Sequence, residues 1–116
     1  MTNSVTVPLP TSANRIWRTY GRRTVKNPDY VTWQNQAAAI INLDRKLGQF
    51  RPVAGNYDLT ITLPQKTRCD ADNYLKGASD ILQATGIVEN DKLCRNIHLV
   101  RGKVPKGHCQ ITVNGI

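Results

Sequence analysis

Tyr57-Asp58-Leu59-Thr60-Ile61-Thr62-Leu63-Pro64 is the stretch that decides the fold. Apolar residues at 57, 59, 61 and 63 alternate with polar residues at 58, 60 and 62, the period of a strand that buries one face. The Gly55-Asn56 turn precedes it, and Pro64 hands the chain to Arg68-Cys69-Asp70-Ala71-Asp72-Asn73-Tyr74-Leu75-Lys76. From about 72 to 85 the spacing predicts a helix, with Leu75, Ala78, Leu82 and Thr85 on one side, joined by Tyr74 and Ile81. Gly86 is its stop.

Upstream, Val5, Val7 and Leu9 alternate with Thr6 and Pro8, which predicts an edge or early strand, since proline donates nothing to a ladder. Residues 14–26 interleave the cations Arg15, Arg18, Arg22, Arg23 and Lys26 with Trp17 and Tyr20 around Gly21, the pattern of a short basic hairpin or arm. Its cations can hold phosphates while an aromatic ring offers a stacking face. Equally, Ile16 and Trp17 can anchor the arm to the core with the cations merely solvated, and the two roles are compatible. Asn27 and Pro28 then mark a helix start and Gly48 its end. Tyr30, Trp33, Ala37, Ile40, Ile41 and Leu47 form the expected buried stripe, so this helix is scaffold. Downstream, residues 95–103 and 108–113 read as two closing strands, with Cys109, Ile111 and Val113 on an apolar face. The expected architecture is α+β, a small mixed sheet in β-β-β-α-β-α-β-β order packed against two helices, one domain over residues 1–116.

A chain of 116 residues with 40% apolar content suits one modest core. Sixteen Lys and Arg against eight Asp and Glu give +8, an excess that favours polyanions such as nucleic acid or an acidic membrane surface. No stretch is apolar enough to span a bilayer. The opening Met-Thr-Asn-Ser-Val-Thr-Val lacks the basic start and apolar run of a secretory signal, so a cytoplasmic protein with reduced thiols is expected. Cys69, Cys94 and Cys109 make no Cys-x-x-Cys pair. Cys94 and His98 can share a strand face, but His108 and Cys109 point oppositely and no standard zinc spacing appears.

Against that basic background the acids are concentrated: Asp70, Asp72, Asp80, Glu89 and Asp91, five of the eight, fall between 68 and 91. Asp72, Lys76 and Asp80 are spaced i, i+4, i+8 on a polar helix face, with Asp70 just before the first turn. One reading is structural, with aspartates capping the helix and Asp72 pairing with Lys76. That leaves unexplained why Asp91 recurs in a second acidic turn, which a helix and return can bring back to the helix start. The other reading is a Mg²⁺ site, because hard oxygen donors suit that ion better than Cys or His. Such an ion polarises a phosphodiester and lowers the pKa of an attacking water, while Lys76 stabilises the developing negative charge. Spacing alone leaves both open.

Asp70-x-Asp72-Asn73-x-x-Lys76, a helix carrying Asp80, and an acidic turn ending in Asp91 resemble the RusA family of Holliday junction resolvases. The Pro10-x-Ser12-x-Asn14-Arg15-x-Trp17 run after the first strand is similar to that family's opening motif, and the likeness spans nearly the whole chain. One departure is Asn90, where members often carry a second aspartate before Asp91; Lys66 and Arg68 are also fewer cations than usual ahead of Asp70. The resemblance implies metal ligation by Asp70, Asp72 and Asp91 and a catalytic Lys76. It implies DNA contacts from Asn14, Arg15, Trp17, Arg18, Arg22, Arg23 and Lys26, with Lys66, Arg68 and Asn73 beside the carboxylates. It further implies a phage- or prophage-type endonuclease, homodimeric, that uses Mg²⁺, or Mn²⁺ as a substitute, to nick a four-way DNA junction in recombination and repair. A junction has approximate two-fold symmetry, which a C2 dimer matches. Residues 57–63 or the closing strands are the candidate dimer contacts. Two other functions fit the composition: a non-catalytic basic nucleic-acid-binding domain whose aspartates are caps, and a nuclease for other branched nucleic acids.

Overall fold

The computed structural model describes residues 3–10, 17–65 and 74–116. Its elements are β1 (Ser4–Pro8), β2 (Trp17–Tyr20), β3 (Arg23–Lys26), α1 (Pro28–Lys46), β4 (Tyr57–Pro64), α2 (Leu75–Ala84), a 3₁₀ turn at Asp91–Leu93, β5 (Cys94–Gly102) and β6 (His108–Gly115). The expected order of strands and helices is the observed one. Four strands form a mixed sheet in the order β1-β6-β4-β5, and β2 and β3 pair separately. β6 runs antiparallel to both β1 and β4, whereas β5 runs parallel to β4. A parallel pair needs a crossover, and α2 supplies it.

The alternation in β4 is fully expressed: Tyr57, Leu59, Ile61 and Leu63 are buried and the residues between them half-buried. Register places Ile111 and Val113 of β6 and Val5 of β1 on the same inner face, where both helices pack. β1 is an edge strand, as Pro8 requires. β4 lies between β6 and β5, so residues 57–63 have no free edge to offer a second copy. The outer edges of the four-stranded sheet belong to β1 and β5.

α1 begins as its sequence dictates, with the Asn27 side chain accepting from the Asp29 N–H at 3.0 Å and Pro28 in the first turn. Tyr30, Trp33, Ala37 and Ile41 are its buried face, and the Trp33 indole donates to the Pro8 carbonyl at 2.8 Å, tying α1 to β1. Ile40 is only half-buried, and Leu47 is exposed because it is the cap residue beyond the last turn facing the core. α2 ends at Ala84, with Thr85 as its cap residue, and the expected start near 72 lies outside the described residues. Arg45 near the end of α1 donates to the Thr85 carbonyl at 2.8 Å, satisfying an acceptor that the helix end leaves free.

Gly77 places α2 against Pro10, just past β1, and against Trp33 of α1. A Cβ there would fall 2.8 Å from Pro10 Cβ and 3.5 Å from Trp33 Cζ3. Alanine ordinarily improves a helix interior over glycine by ~1 kcal/mol. Here the rigid Pro10 ring cannot yield, so Gly77→Ala is expected to destabilise the protein by about 1–3 kcal/mol, read as a lower urea midpoint.

Candidate active site

Lys76 lies in the first turn of α2 and is exposed. Its Nζ is 3.3 Å from Asp80 Oδ2 and 3.4 Å from Oδ1, one helical turn on. The same Oδ2 accepts a 3.2 Å hydrogen bond from the hydroxyl of Tyr30, which reaches across from α1. The Tyr30 ring is buried and stacks on Trp33, centroids 6.0 Å apart. Burial, then the Asp80 charge and the bond to it, push the Tyr30 phenol up to about 12, against an opposing bond from Gln34. The described partner of Lys76 is therefore Asp80; Asp72, the other acid one turn from Lys76 in sequence, lies outside the described residues.

The second acidic turn follows from how α2 ends. Gly86 adopts φ +75°, and the Ile87 N–H returns to the Leu82 carbonyl at 3.0 Å. Ile87 and Val88 are buried, and the Val53 N–H donates to the Ile87 carbonyl at 2.8 Å, pinning the return. Glu89, Asn90 and Asp91 are exposed. Asn90 caps the 3₁₀ turn through its Oδ1, which accepts from the Lys92 N–H at 2.9 Å. Because Asn90 does this work, the Asp91 carboxylate is not committed to capping. α2 packs against this turn, so the elements carrying Lys76 and Asp91 are in contact.

Beneath the turn lies Tyr57, fully buried and paired with Cys94. Burial pushes its phenol up to about 12, with Cys94 and Asp91 adding electrostatically in the same direction. Burial also raises the Cys94 thiol, which donates to the Asn96 carbonyl at 3.4 Å. For a hard cation, carboxylate oxygen is the better-suited donor here. Between Tyr57/Cys94 and Asp58/Asn96 the register shifts, leaving Arg95 as an extra residue in β5. The bulge corrects one expectation: Cys94 pairs on the inner face, whereas His98, paired with Thr60, falls on the outer one. Cys109 is the small buried residue expected, its thiol pushed up to about 12 by burial.

Asp70, Asp72, Asn73, Lys66, Arg68, Asn14 and Arg15 lie outside the described residues. In sequence, 66–73 connect the end of β4 to the start of α2. Among the described residues no three His, Cys, Asp or Glu side chains converge on a metal position. Of the three ligand candidates only Asp91 is described, and its exposed oxygen donors, free of cap duty, fit a hard cation that keeps several waters.

The basic arm is a hairpin. Tyr20 pairs with Arg23, so Gly21 and Arg22 form a two-residue connection, and Gly21 at φ +61° occupies the position where such turns favour glycine. Arg22, Arg23 and Lys26 are exposed, as phosphate contacts must be; of Trp17 and Arg18 only the backbone is described. Missed from sequence was the link between Tyr30 and Asp80. Lys76 and Asp80 are legible as an i, i+4 pair, but nothing local places a tyrosine 50 residues away beside them.

The family model described as Endodeoxyribonuclease RusA matches residues 7–114. The chain is 35% identical over 105 residues to the crossover junction endodeoxyribonuclease RusA of Aquifex aeolicus (strain VF5), covering 87% of this chain and 78% of the relative. It is 31% identical over 108 residues to the crossover junction endodeoxyribonuclease of Enterobacteria phage HK97, covering 92% and 89%. The like-named protein of Escherichia coli (strain K12) is 31% identical over 107 residues, covering 91% and 88%.

Proposed function

The chain belongs to the RusA family of endodeoxyribonucleases, and from that premise we propose that it is a divalent-metal-dependent Holliday junction resolvase, active in the cytoplasm as a homodimer. One observation supports the chemistry most directly: the Asp91 carboxylate is exposed and relieved of capping by Asn90, on a turn that packs against the helix carrying Lys76. Asp91, with Asp70 and Asp72, holds the cation, Mg²⁺ or Mn²⁺. When bound, that ion supplies charge neutralisation at the scissile phosphodiester and a lowered pKa for the attacking water. Lys76 stabilises the negative charge that develops on the phosphate oxygens. Exposed cations of the hairpin, Arg22, Arg23 and Lys26, with Arg15 and Arg18, hold the phosphates of the junction arms. Trp17 and Asn14 complete that contact, and Lys66, Arg68 and Asn73 lie beside the carboxylates in sequence. No helix among the described residues is long and apolar enough to cross a membrane.

Purified protein incubated with a labelled four-way junction and with linear duplex tests this reading. The junction should be nicked in Mg²⁺, spared in excess chelator, and cut in preference to the duplex. Undiminished cleavage in chelator overturns the metal, equal cutting of the duplex overturns junction specificity, and tight binding with no cleavage in either metal leaves a binding module. Paired incision also needs two sites related by a two-fold axis. Light scattering at micromolar concentration is expected to give twice the chain mass without DNA, and a monomeric mass with and without junction counts against paired incision.

A further inference from the structure

We infer that Asp80 is a positioning residue that fixes the ammonium of Lys76 for the reaction, and that the buried hydroxyl of Tyr30 holds Asp80 in turn. The inference rests on the proposed role of Lys76 as the cation facing the developing charge. Three contacts carry it: Lys76 Nζ to Asp80 Oδ2 at 3.3 Å, Nζ to Oδ1 at 3.4 Å, and Tyr30 Oη to Oδ2 at 3.2 Å.

Stability does not explain the arrangement. The Lys76 side chain is 58% exposed and that of Asp80 33%, and a pair so exposed contributes at most ~1 kcal/mol. The order is also the weaker one, since a helix gains more when the acid precedes the base. Yet the acid is held from the far side by a phenol that is 1% exposed, stacked on Trp33, which is itself bonded to the Pro8 carbonyl. A buried, hydrogen-bonded aromatic pair thus leads outward to a lysine, a side chain with about 2 kcal/mol of rotamer freedom when unrestrained. An ammonium has three donors; Asp80 engages one side, and the exposed remainder stays available to a phosphate. Fixing the charge before reaction removes a reorganisation that would otherwise burden the transition state.

Single-turnover cleavage of a four-way junction at saturating protein in Mg²⁺, alongside junction binding without metal, provides the test. Asp80→Asn keeps the size and an acceptor for Tyr30 but removes the charge that holds Lys76. Its cleavage rate should fall roughly 10- to 100-fold, the range typical of lost outer-shell partners, while binding holds or tightens because a negative charge is gone. Tyr30→Phe, which keeps the ring and its stacking, should slow cleavage in the same direction by a smaller factor. Asp80→Glu retains the charge and should keep most of the rate. A merely structural Asp80 would slow cleavage whatever stands at 76. Here Lys76→Ala with Asp80→Asn should be no slower than Lys76→Ala alone. Wild-type cleavage by Asp80→Asn beside a slow Lys76→Ala overturns this inference and leaves the site reading standing, as do additive losses in the double variant. Wild-type cleavage by Lys76→Ala overturns the site reading and the inference with it. Circular dichroism and melting screen the variants for folding. If Asp80→Asn does not fold, Tyr30→Phe decides: slowed cleavage that disappears in the Lys76→Ala background supports the relay, and an unchanged rate overturns it.

Discussion

Asp91→Asn is expected to lower junction cleavage by more than about 10³-fold, well beyond the ~10- to 100-fold cost of losing an outer-shell partner, while the protein stays folded and still binds junction. The cap of the 91–93 turn is Asn90, through its 2.9 Å contact to the Lys92 N–H, so the turn keeps its anchor when Asp91 loses its charge. Asparagine matches aspartate in size, and the position is exposed, so packing is undisturbed. What disappears is a charged oxygen donor. Phosphates approaching the site without metal meet negative carboxylates, so removing one should hold or tighten binding even as cleavage is lost. A binding module predicts the same binding result but has no cleavage to lose, and a purely structural acid predicts little change in either. An Asp91→Asn protein, folded by circular dichroism, that nicks a four-way junction at the wild-type rate sinks the assignment. Asp70→Asn makes a parallel case at the other end of the proposed ligand set.

Ile61→Ala should destabilise the fold by about 2–5 kcal/mol, a large part of the ~5–15 kcal/mol that a domain of this kind commands. Ile61 is fully buried at the middle of β4, paired with Ile111 of β6 on one side and Leu99 of β5 on the other. Deleting its branched side chain removes buried apolar surface and opens a cavity that two adjoining strands cannot close independently. Thr60→Ala, one residue away on the half-buried outer face, should cost no more than about 1 kcal/mol. Urea unfolding gives both numbers as midpoint shifts at unchanged slope. Equal destabilisation of the two would contradict the one-sided burial of β4.

Much of the frame was legible because it is encoded locally. The period of two at 57–63 is a statement about which side chains face the core, and each side chain's face follows from its own place in the strand. Asn27-Pro28 and Gly48 punctuate α1 through the dihedral and hydrogen-bonding limits of single residues, again without reference to distant chain. Cys109 could be placed in the core from its two apolar neighbours at alternate positions. The candidate chemistry, clustered acids on a basic chain with Lys76 among them, was likewise a matter of residue type and spacing, and the family followed from the same motif.

Tertiary structure alone decided what depends on partners. Strand pairing is chosen by the whole chain, so the parallel β4–β5 pair and the burial of both β4 edges, which removes 57–63 as a dimer edge, have no local signal. The bulge at Arg95 is a one-residue register shift, and it turns Cys94 and His98 to opposite faces although their spacing put them on one. Gly77 looks like a poor helix residue until Pro10 is found 2.8 Å from where its Cβ would lie. Tyr30 is legible in the sequence as core and Asp80 as a polar-face acid, but their 3.2 Å contact exists because α1 and α2 pack side by side on the same sheet face. Periodicity determined which way each side chain faced; only the packing of elements far apart in sequence determined what it met there.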